Sequence, residues 1–157
     1  MKILVAYFSA SGTTAQVAER LARGIGADTF EIKAAQAYSK EDLDWQNPKS
    51  RSSIEMNDRT SRPAIAEKKE NMVEYDVIFL GFPIWWYREP SIIDTFIESY
   101  DFAGKIIVPF ATSGGSELKD TSRNIQALAK GAVVATGKRF ASSVADNELT
   151  AWAQEWI

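Results

Sequence analysis

The stretch Ile3-Leu4-Val5-Ala6-Tyr7-Phe8, followed directly by Ser9-Ala10-Ser11-Gly12-Thr13-Thr14, decides how this chain is read. Six apolar residues, several β-branched or aromatic, predict a buried strand. The cluster of small hydroxyl residues around a glycine predicts a turn that opens a helix. From Thr13 onward Val17, Ala18, Leu21, Ala22 and Ile25 fall on one helical face, and Gly24 and Gly26 lie where a C-cap would stop the helix. Strand, polar loop and helix form the first unit.

The unit repeats. A weaker strand is expected at 29–33, with Phe30 and Ile32 alternating with polar neighbours as near a sheet edge. Residues 34–63 show no sustained period and exceed a usual connection, the mark of a functional or mobile loop. A short helix is expected at 64–73. Val77-Ile78-Phe79-Leu80-Gly81 is apolar enough for a central parallel strand, and a helix after Pro90 carries Ile92, Ile93, Phe96, Ile97 and Tyr100. A strand at 106–111 follows, then a helix with Leu118, Ile125 and Leu128, and a strand at 132–136. The final helix carries Leu149, Trp152, Ala153 and Trp156, with Asp146 as its expected N-cap. No linker, repeat or low-complexity segment interrupts the alternation, so residues 1–157 read as one domain. Strict alternation of strand and helix predicts an α/β fold: a three-layer, doubly wound sandwich around a five-stranded parallel sheet.

Composition removes whole classes of chemistry. The 157 residues contain no His and no Cys, which excludes Ser-His-Asp and Cys-His catalysis, zinc sites built on these ligands and any disulfide. No metal site is expected. The net charge of -3 offers no footprint for nucleic acid, no apolar run reaches membrane-spanning length, and the N-terminus is too short for a signal peptide core, so a cytoplasmic protein is expected.

In a doubly wound sheet, ligands bind outside the carboxyl ends of the strands, and three polar loops leave such ends. The first offers the hydroxyls of Ser9, Ser11, Thr13 and Thr14 and a helix N-terminus, which together can hold a phosphate without any Lys or Arg. An ordinary N-cap turn would look the same. It matches neither Walker A nor G-x-G-x-x-G. The second, Gly81-Phe82-Pro83-Ile84-Trp85-Trp86-Tyr87-Arg88-Glu89-Pro90, puts three aromatics where exposure is costly unless they cover a flat ring. The plain alternative has one Trp in the core and another packed on the long loop. The third, Thr112-Ser113-Gly114-Gly115-Ser116, is either a simple turn or a place where backbone amides approach a ligand edge.

Taken together, Ser9-x-Ser11-Gly12-Thr13-Thr14, Gly-Phe-Pro-Ile-Trp-Trp at 81–86 and Pro109-Phe110-Ala111-Thr112-Ser113-Gly114-Gly115 resemble the flavin-contacting loops of the flavodoxin family, in particular its short-chain branch. The resemblance spans nearly the whole chain and implies strand order 2-1-3-4-5, non-covalent FMN and electron transfer. It implies that Ser9, Ser11, Gly12, Thr13 and Thr14 hold the phosphate, that Pro83, Ile84, Trp85 and Trp86 line the isoalloxazine ring, and that Thr112, Ser113, Gly114 and Gly115 meet its pyrimidine edge.

Three departures from the family pattern bear on function. A glycine often follows the ring-stacking Trp, where a peptide flip turns a carbonyl to the ring. Here Trp86 stands, and a turn needing φ > 0 is disfavoured at a Trp. The third loop lacks the usual second stacking aromatic, which leaves one ring face open, and a charge of -3 gives little steering toward basic partners. All three point toward two-electron reduction of a quinone-type acceptor, with NAD(P)H as donor, over one-electron shuttling. Protons would come from water, the flavin, Tyr7 or Tyr87. The long loop, with Tyr38, Arg51, Arg59 and Arg62, either folds over the open face and meets a nucleotide phosphate or is simply solvated. The rival readings are an electron carrier with a redox partner protein and a non-redox flavin- or phosphate-binding module; the aromatic loop could equally serve a homodimer. A phospho-acceptor domain would need acids where Ser9-Ala10-Ser11 and Gly81-Phe82-Pro83 stand.

Overall fold

In the computed structural model, which describes residues 1–113, 117–118 and 120–157, the first apolar stretch forms β1 (Ile3–Tyr7) at the heart of a parallel sheet. The order is β2 (Asp28–Glu31), β1, β3 (Val77–Pro83), β4 (Ile106–Thr112) and β5 (Val133–Val134), with β6 (Lys138–Phe140) also paired to β4. This is the expected order 2-1-3-4-5. The helices are α1 (Thr13–Ile25), α2 (Arg51–Asn57), α3 (Ser91–Glu98), α4 (Thr121–Leu128) and α5 (Asp146–Ala153). No helix among the described residues is long and apolar enough to cross a membrane.

Side-chain alternation along the three central strands creates two cores. Leu4, Ala6, Ile78, Leu80, Phe82 and Ile107 face one side, where Ile92, Ile93, Phe96 and Ile97 of α3 and Ile125 of α4 cover them. Val5, Tyr7, Phe79, Val108 and Phe110 face the other, under Val17 and Leu21 of α1 and Leu149 and Trp152 of α5. Burying each large side chain contributes about 1.5–3 kcal/mol, so the sheet is held rigidly from both faces and its loop ends have a fixed platform. Gly81 makes room for this packing. It lies opposite Phe110 in the β3/β4 register, and a Cβ there would sit 2.3 Å from the Phe110 ring. Gly81→Ala is therefore expected to lower stability by about 1–3 kcal/mol in urea unfolding, and Phe110→Leu in the same chain to recover part of that loss.

The structure departs from the sequence reading in several places. The helix expected at 64–73 is absent: Ile65 bridges Ala34 antiparallel, and only a 3₁₀ turn, Met72–Glu74, follows. Glu67-Lys68-Lys69-Glu70-Asn71 leaves that stretch without an apolar stripe to bury, so pairing with 33–35 satisfies its backbone instead. Conversely α2 arises inside the long loop, capped by the Ser50 hydroxyl on the Ser53 amide. Asp146 is the first residue of α5 and Ala145 its N-cap; the Asp146 carboxylate is held at 2.6 Å by Arg20 of α1. The second strand ends at Glu31 rather than 33, α3 ends before Tyr100, and α4 begins after Leu118.

The fifth strand position, expected as one run at 132–136, is broken into β5 and β6. Amides of Val133 and Ala135 bond the carbonyls of Lys105 and Ile107, so odd-numbered residues of β4 turn their backbone groups to this edge. Pro109 falls on that parity and has no N–H to give. Gly137, at φ +83°, bridges the gap where a Cβ would come within 2.6 Å of the Pro109 carbonyl oxygen.

Candidate functional site

The first loop is shaped by Ser9 and Gly12. The Ser9 hydroxyl accepts hydrogen bonds from the amides of Gly12 (3.1 Å) and Ala15 (3.2 Å), and Gly12 stands at φ +94°, a conformation that spares a Cβ clash. Ser9 thus caps the loop from within, while Ser11, Thr13 and Thr14 turn to a cavity of about 370 Å³ that Pro83, Thr112 and Ser113 also line. The buried hydroxyls of Thr14 and Thr112 meet at 2.6 Å and lock the first loop to the third. Nothing among the described residues accepts from the amides of Thr13 and Thr14, the open end of α1.

Ala141 and Ser142 complete the lining, and sequence reasoning missed both. They follow β6, so the signal was hidden by the Pro109 break. Arg20 places them: beyond Asp146 it donates to the carbonyls of Ser142 and Val144. Arg139 donates to the Ser113 carbonyl at 3.1 Å and fixes the start of the third loop. Among the described residues no ionisable side chain lines the cavity. Gly114 and Gly115 lie outside the described residues. Among the described residues no cluster of acids could hold a metal ion.

The second loop makes a tight two-residue hairpin. Trp85 and Arg88 exchange both backbone hydrogen bonds (3.0 and 3.1 Å), with Trp86 at φ +49° and Tyr87 at φ +64°. Trp86 does adopt the positive φ that sequence reasoning held against it. The paired backbone of Trp85 and Arg88, together with the partial burial of Trp85 and the burial of Arg88 on either side, sets the turn geometry over side-chain preference. The argument against a carbonyl-presenting turn at this position falls with it. Because left-handed φ tolerates Asn and penalises a β-branched residue, Tyr87→Asn is expected to be about 1–2 kcal/mol more stable than Tyr87→Val in thermal or urea unfolding, against the order of hydrophobicity.

The three aromatics serve different ends. Trp85 packs edge-on against Phe8 (5.6 Å) and Tyr38 (5.5 Å), which ties the hairpin to the long loop. Trp86 and Tyr87 remain exposed. Ile84, Trp85 and Trp86 do not share the hydroxyl-lined cavity; with Tyr87, Leu43, Trp45 and Ser52 they enclose a second one of about 550 Å³. Pro83, at the end of β3, stands on the first cavity beside it. The arginines of the long loop are largely committed: Arg51 pairs with Glu55 (2.9 Å) and stacks on Tyr38 (3.8 Å), and Arg62 pairs with Glu98 (2.5 Å). Tyr7 is buried in the core, where loss of solvent and the nearby Glu31 and Glu19 raise its pKa.

Beneath the hairpin lies a buried charge cluster. Arg88, 7% exposed, stands 3.5 Å from Asp94 and 3.7 Å from Glu89, and donates to the Met56 carbonyl at the end of α2. Asn124 of α4 donates to Glu89, and Arg62 approaches Asp94 at 3.9 Å. Burial, then the hydrogen bond and charge of Glu89, push the Asp94 carboxyl up to about 8. The Asp94 carboxyl is thereby held toward its neutral form at neutral pH. A carboxyl raised in the folded state binds more protons there than in the unfolded chain, so its stabilising contribution is complete below about pH 4 and is lost as pH climbs through about 8. Stability is expected to fall across pH 5–8 by at most about 1.4 kcal/mol per pH unit from this group, and Asp94→Asn to flatten that slope in urea titrations.

A hydroxyl-lined cavity and an aromatic hairpin thus stand together at the carboxyl ends of a doubly wound sheet. The family model described as Flavodoxin matches residues 2–156, and the chain belongs to the flavodoxin family. Two similar solved structures are each described as a "putative flavoprotein". That from Bacteroides uniformis ATCC 8492 is 44% identical, covers 98% of this chain and 97% of its own, and superposes with a TM-score of 0.92. That from Bacteroides eggerthii DSM 20697 is 46% identical, covers 98% and 96%, and gives 0.88. A flavoprotein of Lactobacillus acidophilus NCFM, solved in complex with FMN, shares the fold at 24% identity, with coverage of 97% and 98% and a TM-score of 0.73. No curated protein matches the chain.

Proposed function

We propose that the chain binds FMN and uses it to reduce a quinone-type acceptor with electrons from NAD(P)H. The observation that carries the cofactor assignment is the 370 Å³ cavity, where hydroxyls of Ser11, Thr13, Thr14 and Ser142 and the amides at the head of α1 come together with no charged side chain among the described residues. Such a site suits a phosphate held by oriented donors and the helix dipole. Pro83 and the hairpin beside it supply apolar and aromatic surface for the ring, and Thr112 and Ser113 supply polar atoms for its pyrimidine edge. Bound FMN supplies the redox chemistry. The residues of this chain bind it, orient its ring and leave a neighbouring aromatic cavity open for a second molecule.

FMN titration of the apoprotein, followed by ring absorbance and tryptophan fluorescence, tests the cofactor assignment; no binding at micromolar FMN in phosphate-free buffer would overturn it. Steady-state NAD(P)H oxidation with a quinone present then tests the reductase assignment. Activity without a second protein supports it. One observation favours the electron-carrier reading instead: the positive φ at Trp86 permits a backbone carbonyl to turn toward the ring. Accumulation of a blue one-electron-reduced form on photoreduction, with no NAD(P)H turnover, would decide for the carrier.

A further inference from the structure

Seven large hydrophobic residues are exposed among the described residues, and three of them, Trp45, Trp86 and Tyr87, line one cavity. That clustering is unfavourable in water and calls for an occupant. At about 550 Å³ the cavity falls within the range of small-molecule sites, and its two walls come from different parts of the chain: residues 84–87 of the hairpin, and Leu43, Trp45 and Ser52 of the long loop.

The long-loop wall is built rather than loose. Ser39 and Asp42 bond each other's backbone amides through their side chains, Asp44 takes the Gln46 amide, and the Ser52 amide donates to the Asp42 carbonyl at 2.9 Å. Trp45 is nonetheless 69% exposed on this braced segment.

We propose that Leu43, Trp45 and Ser52 form a binding site for a neutral, planar aromatic carbonyl compound, seated in the cavity over the open face of a flavin whose ring lies against the hairpin. The inference rests on the FMN reading above. The occupant is neutral because the described lining holds no cation and no carboxylate, and the neighbouring Arg51 is spent on Glu55, the Gln36 carbonyl and the Tyr38 ring. A phosphate-bearing nucleotide would meet no counter-charge on this wall. It is planar because indole and phenol rings dominate the lining, and stacking rewards a flat partner. It carries a carbonyl because the buried Ser52 hydroxyl has only a long 3.4 Å contact to Ser50 Oγ and can donate into the cavity. Its site is separate from the anion cavity, with which it shares no lining residue.

The test uses 1,4-naphthoquinone as probe with the FMN-loaded, oxidised protein, so that no electron transfer occurs, and reads binding by calorimetry. Saturable binding without FMN release is expected. Trp45→Ala, remote from the hydroxyl cavity and too exposed to threaten folding, should weaken the probe at least tenfold while FMN affinity stays within twofold. The sulfonated analogue, 1,4-naphthoquinone-2-sulfonate, should bind at least tenfold more weakly than the parent. Displacement of FMN by the probe would overturn the inference, as would unchanged probe binding in Trp45→Ala. So would a Trp45-dependent dimer in sedimentation, which would make a second copy the occupant. If FMN itself fails to bind, the cofactor reading falls, and the same probe titration on the unloaded protein, wild type against Trp45→Ala, still decides the wall.

Discussion

Replacing Arg88 by alanine is expected to destabilise the protein by about 3–5 kcal/mol at pH 7, the largest loss of any single substitution away from the two cores. The guanidinium is almost wholly buried and is the cation closest to both Glu89 and Asp94. Without it, two carboxyls remain side by side in a low-dielectric pocket, and Arg62, at 3.9 Å from Asp94 and already paired with Glu98, compensates little. The Met56 carbonyl loses its donor as well, so α2 loosens from the hairpin. Urea unfolding at pH 7 measures the loss, and the cause can be separated from simple truncation. Arg88 lowers the Asp94 carboxyl, so its removal raises that group further, and the deficit should widen as pH climbs from 7 to 9. A deficit equal at both pH values would assign the loss to packing alone. Asp94→Asn combined with Arg88→Ala should lose less at pH 9 than Arg88→Ala, because the amide keeps shape and cannot ionise.

The second large effect concerns the ligand. Riboflavin, which lacks the phosphate, is expected to bind about a thousandfold more weakly than FMN. Two to three hydrogen bonds to a charged group, at about 1.5–3 kcal/mol each, amount to about two to six decades of affinity, and a thousandfold lies toward the lower end of that range. The absence of any basic side chain from the cavity among the described residues gives this prediction a second signature. Affinity carried by oriented dipoles close to the phosphate is poorly screened, so the FMN dissociation constant should change less than about threefold between low and high salt. Fluorescence titrations with both flavins at two ionic strengths measure this. Equal affinities would show that the ring alone carries binding, and a steep salt dependence would place the phosphate against an arginine or lysine instead of at the head of α1.

Much of this architecture was legible because it depends on local, repeated signals. The apolar runs around Val5, Phe79 and Val108 alternate between two faces, and each is followed by small polar residues and an amphipathic helix, so the layers could be read directly. Ser11, Thr13 and Thr14 are legible for the same reason: they sit where the first strand hands over to a helix. What escaped was set by distant contacts. Ser142 joins the cavity only because Arg20, from the opposite side of the sequence, grips the chain around it. The positive φ of Trp86 follows from its neighbours pairing across a hairpin, which residue preference alone argues against. The helix at Arg51–Asn57 is too short to show a period, although the Ser50 cap and the Arg51/Glu55 pair were visible signs. The long-loop charges were read as either solvent-facing or ligand-facing, whereas most hold the loop to itself.

The proline in the fourth strand has a consequence for how these molecules meet one another. A sheet of this kind exposes two borders to which a strand from another chain could add, and added strands are the usual route to ordered aggregates. One border is the four-residue β2 strand. The other is cut into pieces of two and three residues where Pro109 has no amide to offer and Gly137 bends past it. Neither border presents a ladder long enough to template an incoming strand. Self-association, where it occurs, is therefore directed to side-chain surfaces such as the hairpin rather than to the backbone of the sheet.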